Sequence, residues 1–292
     1  MMKTIQNQTF DMERALYGSH ELSLYKCAFD GPADGESALK ESTDIELDQC
    51  YCNLRYPFWH DHRLKISNTE MTPLCRAALW YSDQIEILGA RMHGIKALRE
   101  CSHVLIENCD IISPEFGWSV CDLQMRRCTA QGEYFLLRSQ NIHISELKFK
   151  GKYAFQYIHN AVFENCSFDT KDAFWHAKNV TVRNSTVRGE YLGWYSEGLT
   201  LINCKISGTQ PLCYCKNLIL INCEMAEADL AFEKSEVEAT VTTPVISIKN
   251  PYSGRITVPA AEEIIMDDVN AACEILLGSP ECQAAVLAGK NK

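Results

Sequence analysis

Three stretches, Val180-Thr-Val-Arg-Asn-Ser-Thr-Val187, Leu199-Thr-Leu-Ile-Asn-Cys-Lys-Ile206 and Leu218-Ile-Leu-Ile-Asn-Cys-Glu-Met225, decide the fold. Each begins 19 residues after the one before it. A fixed period near 20 with short alternating apolar runs marks a solenoid. With the first apolar residue as position 1, the phrase recurs at Leu22, Ile45, Leu64, Ile85, Val104, Leu123, Ile142, Ala161, Val180, Leu199, Leu218 and Val237. From Ile85 onward every interval is 19, and the earlier intervals are 23, 19 and 21. The extra residues fall at Gly31-Pro-Ala-Asp-Gly-Glu36 and around Met71-Thr-Pro-Leu-Cys75, both turn-rich.

Positions 1, 3, 6 and 8 are apolar or small, and positions 2, 4 and 7 mostly polar, which reads as strand. The inward set passes from odd to even positions, so a corner is needed between them. Position 5 supplies it with Asn68, Asn108, Asn165, Asn184, Asn203 and Asn222, because Asn tolerates left-handed backbone and can stack in amide ladders. Glycine at position 10 (Gly94, Gly132, Gly151, Gly189, Gly208) suggests a second corner. Asn or Gly at position 19 (Asn141, Asn160, Asn179, Gly198, Asn217) suggests a third. Three corners and three short strands per repeat give an all-β, single-stranded parallel β-helix of about 11 coils of about 19 residues. The preference of parallel crossovers makes it right-handed. Residues 1–21 are expected to form an N-terminal cap, 22–258 the β-helix, and 259–292 a C-terminal cap or tail, all in one domain. Mixed helical spacing over Glu262–Ala288 predicts short helices or irregular chain there.

Bulk properties narrow the function. A formal charge of −10 leaves no basic patch for nucleic acid. No apolar window is long enough to predict a membrane span, and the N-terminus lacks signal-peptide features, so a cytoplasmic location is expected. Fifteen cysteines without an export signal point to reduced thiols. Seven of them (Cys27, Cys50, Cys109, Cys128, Cys166, Cys204 and Cys223) share position 6 with Thr69, Ala90 and Ser185. Such substitutions fit volume and not ligation, so the column reads as small buried hydrophobes. The Cys-x-Cys pairs at Cys50 and Cys213 are too closely spaced for zinc, and no metal or cofactor is expected.

The aromatic residues carry more information. All five tryptophans (Trp59, Trp80, Trp118, Trp175, Trp194) fall at position 15, allowing for the two extra residues after Leu64. Position 16 holds His60, Tyr81, Glu100, Ser119, Arg138, Tyr157, His176, Tyr195 and Tyr214. Neighbouring residues of a strand point to opposite faces. Small residues at position 17 therefore place 13, 15 and 17 inside, with Trp in the core. Position 14 (Phe58, Leu79, Leu98, Leu136, Phe155, Phe174, Leu212) then lies outside beside the Tyr/His column; the alternative is position 14 inside with Trp outside at an interface, or insertions that cover the strip. A long exposed aromatic strip marks a ligand or subunit surface, and its rings suit sugars. Tyr81, Arg99, Arg138, Tyr157, Tyr195 and Tyr214 are the candidate ligand-binding residues. Candidates for acid–base chemistry are His60, Asp61, Glu100, Asp172 and His176, although no paired carboxylates with glycosidase spacing stand out near the strip. Phosphate-binding glycine loops and Gly-x-Ser-x-Gly are missing from the sequence.

The segments Phe10-Asp-Met-Glu-Arg-Ala-Leu-Tyr-Gly18, Phe29-Asp-Gly-Pro-Ala-Asp-Gly-Glu-Ser-Ala-Leu-Lys-Glu41, Arg55-Tyr-Pro-Phe-Trp-His-Asp61, Cys75-Arg-Ala-Ala-Leu-Trp-Tyr81, Gly94-Ile-Lys-Ala-Leu-Arg-Glu100 and Gly189-Glu-Tyr-Leu-Gly-Trp-Tyr195 resemble the bacterial domain-of-unknown-function family 3737. The resemblance extends to about residue 268. It implies a right-handed β-helix, pectin-lyase-like in shape, and carries no catalytic residues with it. The expected function is binding of a glycan or other small ligand on the aromatic face. The alternatives are a carbohydrate-active lyase, hydrolase or epimerase, and a structural protein that uses the strip to form homo-oligomers.

Overall fold

The computed structural model describes residues 2–31 and 36–278. It is all-β, with no helix among the described residues, and forms a parallel β-solenoid of about 14 turns of roughly 19 residues. The phrase count of 11 falls short because strands continue beyond both ends of the recognisable phrase. Lys3–Gln6 pairs in parallel with Leu22–Tyr25, so the segment read as an N-terminal cap already forms strand. Ser253–Val258 pairs with Glu274–Leu277, and Val245–Lys249 with Ala261–Ile265. The helical expectation for Glu262–Ala288 is thus corrected to strand and irregular chain as far as Gly278; its remainder lies outside the described residues. Apolar Ile256, Val258 and Cys273 remain buried in these last turns, and their packing overrides the local helical spacing.

The chain divides into two compact units, Met1–Gly151 and Lys152–Lys292. In the second, phrase lies on phrase. Val180 pairs with Leu199, Thr181 with Thr200 and Val182 with Leu201. The short strand after the corner repeats this, Val187 opposite Ile206. The first unit follows the same register, with Ile85 opposite Leu64 on one side and Val104 on the other. Position 5 turns in left-handed backbone from Lys26 to Asn222, at φ 49° for Asn184, 52° for Asn203 and 55° for Asn108. Asn203 Nδ2 donates to Asn184 Oδ1 at 3.1 Å, one rung of the expected amide ladder. Position 19 turns likewise, at Asn141, Asn160 and Asn179. The glycine at position 10 serves close approach between coils: a Cβ on Gly208 would run into the carbonyl of Gly189, and one on Gly189 into that of Thr170.

Positions 1, 3, 6 and 8 fill the interior. Each buried Leu, Ile, Val or Phe contributes roughly 1.5–3 kcal/mol. In the second unit Phe155, Phe163, Phe168 and Phe174 pack together, with ring centroids 4.9–6.0 Å apart. The cysteine column is buried, and its thiols donate to backbone carbonyls of the preceding coil, Cys204 to Val182 and Cys223 to Leu201, both at 3.4 Å.

The third side of the coil departs from the sequence reading. Positions 12, 14 and 16 adopt left-handed backbone in turn, as in Asp172 (φ 56°), Phe174 (61°) and His176 (54°), or Gln210 (48°), Leu212 (61°) and Tyr214 (60°). Such a segment is a succession of turns, not a pleated strand, so alternation of side-chain direction fails. Among the described residues only Phe58–Trp59, Leu79–Trp80 and Leu98–Arg99 form short strands here. Position 14 is therefore buried, with Phe58, Leu79, Leu98, Leu136, Phe155, Phe174 and Leu212 all inside. Trp at position 15 is half-buried on the outer side with position 16. The expectation of Trp inside and position 14 outside is reversed. Left-handed conformation at non-glycine residues costs of order 1 kcal/mol or more each, which the buried side chains and coil-to-coil hydrogen bonds offset.

Candidate functional site

Positions 15 and 16 together build an outward aromatic column in each unit. In the second unit Tyr157, His176, Tyr195 and Tyr214 stack one above another. Their centroids are 4.8, 5.1 and 4.8 Å apart, with interplanar angles of 14°, 9° and 13°. The spacing is that of neighbouring strands, because each ring leaves the same position of successive coils. Tyr157 is 42% exposed and Tyr195 47%. Beside them Trp175 and Trp194 stack at 5.4 Å and 5°. Each indole N–H donates to the position-12 carbonyl of the next coil, Trp175 to Tyr191 at 2.6 Å and Trp194 to Gln210 at 2.8 Å. These bonds fix the indoles, which brace the outer ring column. Rings stacked face to face turn their edges to solvent. The column therefore offers a line of hydroxyl and imidazole groups set in apolar rims. Burial, and then the nearby Glu233, raise the Tyr214 hydroxyl above its usual range, so it remains a donor.

In the first unit the column is His60 and Tyr81, stacked at 5.1 Å and 16°, beside Trp59, Trp80, Arg99 and Trp118. Arg99 occupies a tryptophan position. Its guanidinium lies 4.8 Å from the ring centroid of Trp80 on one side and 4.8 Å from that of Trp118 on the other. Tyr81 is 50% exposed, and its position-16 successor is Glu100, which offers no ring to cover it.

The catalytic candidates are not brought together. His60, Asp61 and His62 go three ways. His60 stacks on Tyr81, whereas His62 Nδ1 sits 3.2 Å from Asp83 Oδ2. Asp61 points inward at 2% exposure, in the column of Ser42, Ser82 and Ser139. Its Oδ1 accepts the Ser42 N–H at 2.9 Å, its own N–H donates to Ser82 Oγ at 3.0 Å, and Oδ2 has no hydrogen-bond partner. Burial pushes its carboxyl up to about 8, against the lowering pull of the Ser42 N–H. Glu100 shares a column with His60, but Tyr81 stands between them; its nearest cation is Arg99, Nε to Oε1 3.7 Å. Asp172 is buried and its carboxyl raised, first by burial and also by Glu190, against the lowering effect of Lys171. His176, four residues on, faces out between Tyr157 and Tyr195. Of the three acidic candidates only Glu100 is exposed on the aromatic side. The ligand candidates Tyr81, Arg99, Arg138, Tyr157, Tyr195 and Tyr214 all lie at outward positions 15 and 16, and Arg138 is exposed. The tryptophans belong to that outer surface, the alternative placement and not the preferred one; glycine at position 14 in Gly117 (φ 72°) and Gly193 (φ 75°) was the available signal of left-handed backbone.

A shallow groove of roughly 540 Å³ lies elsewhere in the first unit, over the long strands at Gln6, Tyr25, Glu46, Asp48 and Lys65. Its lining is mostly polar and includes none of the aromatic column. No cluster of three or more His, Cys, Asp or Glu suited to a metal occurs among the described residues. No helix of the described chain is long and apolar enough to cross a membrane.

A parallel β-solenoid with an outward ladder of stacked rings is thus the class that fold and surface define. Residues 3–276 match the model of a family described as "Protein of unknown function (DUF3737)", and the chain belongs to that family. Comparison with curated proteins gives no match. Among solved structures, the chain is similar to PfbA, a surface adhesin of Streptococcus pneumoniae, at 7% identity over 82% of this chain and 80% of that one (TM-score 0.37). It is also similar to the tailspike protein of E. coli bacteriophage HK620 in complex with a hexasaccharide, at 9% identity over 85% and 59% (TM-score 0.35). A third is the periplasmic alginate epimerase AlgG, at 12% identity over 90% and 78% (TM-score 0.30).

Proposed function

We propose that this protein binds a saccharide along its aromatic columns. One observation carries the reading: in the second unit four successive rings, Tyr157, His176, Tyr195 and Tyr214, stack at 4.8–5.1 Å with their edges outward. A polyhydroxylated chain offers the complement, alternating apolar C–H and hydroxyl groups, to a strip of ring rims and polar tips. The first unit repeats the chemistry at His60 and Tyr81. Binding without catalysis is the simpler reading, because Asp61 and Asp172 are turned inward and Glu100 has no second exposed candidate carboxylate in its column.

The test is calorimetric titration with a panel of neutral and acidic oligosaccharides, repeated on Tyr195→Ala and Tyr81→Ala. Binding should be present in the wild type and weakened several-fold by at least one substitution, the scale of a lost aromatic contact. Absence of binding across the panel, or affinities indifferent to both substitutions, would overturn the reading. A solution dimer that dissociates in either variant would assign the columns to self-association instead.

A further inference from the structure

The Arg99 side chain is set in an unusual way. It fills a tryptophan position in the column, both faces of its guanidinium are covered by indoles at 4.8 Å, and the side chain keeps 22% exposure. A guanidinium carries five N–H donors in a planar fork. Among the described residues none of them has a hydrogen-bond acceptor. The only carboxylate near it, Glu100, stands 3.7 Å from Nε, beyond hydrogen-bond reach. Nε is itself buried and unpartnered, and so is the neighbouring indole N–H of Trp80, whose counterparts in Trp59, Trp118, Trp175 and Trp194 all have carbonyl acceptors. Unsatisfied buried donors in a native site call for an explanation, and here two adjacent ones are of the same sign. Stacking has already restricted the side chain, so little further ordering entropy is lost when an acceptor arrives.

Tyr81 completes the arrangement. Its backbone N–H donates to the Arg99 carbonyl at 3.3 Å, which fixes the two residues on adjacent coils. Its ring is half exposed and stacks on His60 at 5.1 Å and on Trp80 at 5.6 Å, so it is held beside the guanidinium.

We infer that Arg99, clamped between Trp80 and Trp118, reads an oxyanion on the bound saccharide, with the exposed part of Tyr81 beside it contacting the sugar ring that bears it. The ligand is then an acidic sugar, carrying a carboxylate or a sulfate. The planar fork matches either group through paired N–H···O bonds. With a net charge of −10 the protein as a whole repels polyanions, so the preference must come from this local contact. The inference rests on the saccharide reading above and adds the charge of the ligand to it.

The experiment uses the full chain and one glucan backbone in three forms: cellotetraose, its C6-oxidised carboxylate and its C6 sulfate ester. Affinities are read by tryptophan fluorescence and calorimetry. The wild type should bind at least one acidic form about tenfold more tightly than the neutral one, the scale of a charge-assisted hydrogen bond. The preferred form distinguishes carboxylate from sulfate. Arg99→Gln should bring the affinity for the acidic form down to that for the neutral form. Arg99→Trp, which keeps a stacked ring in the column, should do the same and guards against a folding defect in the first variant. Equal affinity for all three forms in the wild type overturns the inference while the saccharide reading stands, as does a preference that survives both substitutions. Failure of every form to bind overturns the inference, and the saccharide reading is then decided by the wider panel.

Discussion

Asp61 should be a pH-dependent weak point in the core, and removing its charge should strengthen the protein as pH rises. It occupies a column where serine is the usual residue, and one of its two oxygens has no partner. Burial raises its carboxyl from an ordinary 3.8 to about 8. Between those values the folded protein holds a proton that the unfolded chain has released. The stability this proton supplies is fully present below the unfolded value, falls as pH rises, and is gone above about 8. The slope is about 1.4 kcal/mol per pH unit, so the loss from pH 5 to pH 8 attributable to this residue is about 4 kcal/mol. Asp61→Asn keeps the acceptor for the Ser42 N–H and removes the titration; Asp61→Ser installs the column's usual residue. Guanidinium unfolding followed by tryptophan fluorescence at pH 5, 6, 7 and 8 gives the difference between each variant and the wild type, in which other titrating groups cancel. That difference should grow by about 4 kcal/mol in favour of both variants across the range. Wild-type and variant curves running parallel in pH would refute a carboxyl held neutral by burial.

Two further outcomes follow from the coil geometry. Gly208→Ala would drive a Cβ into the Gly189 carbonyl at a φ of 131° that side chains rarely adopt, so stability should fall by about 1–3 kcal/mol in thermal or denaturant unfolding, whereas an unchanged midpoint would contradict the close coil approach. Burial pushes Cys101 and Cys213 up to about 12 and Cys50 and Cys215 up to about 11, so iodoacetamide labelling mapped by mass spectrometry should modify the less buried Cys121 well before any of these four in the native protein; equal rates would show that the cores of the coils are open.

The sequence made two corners of the coil legible and concealed the third side. Asn184 and Asn203 announce left-handed turns because Asn is one of the few residues at ease there, and position 5 turns that way whether it holds Asn, Lys26, Gln49 or Arg127. The third side places Phe174, Leu212 and Tyr195 in the same backbone region, residue types that carry no such signal. Period-two alternation was therefore applied where no pleat exists, and positions 14 and 15 exchanged sides. Position 16 was still read as outward, because it faces solvent under either geometry. Asp61 was legible as an acid but not as a buried one, since nothing in Trp-His-Asp-His indicates which of the four turns toward the core. Arg99 was legible as a charge beside the strip. Its clamp between two indoles depends on the 19-residue register that brings Trp80 and Trp118 to either side of it, which only the coil-on-coil pairing supplies.

The stacked columns also give the protein an optical character. Trp175 and Trp194 are held nearly parallel at 5.4 Å, and Tyr195 and Tyr214 at 4.8 Å. At such separations the transition dipoles of neighbouring rings couple, and excitation passes readily from tyrosine to tryptophan. Near-ultraviolet circular dichroism should therefore carry a couplet that belongs to the folded column and to no single ring. A molecule lying across the rims would shift several coupled chromophores together, so the surface reports its own occupancy without an added label.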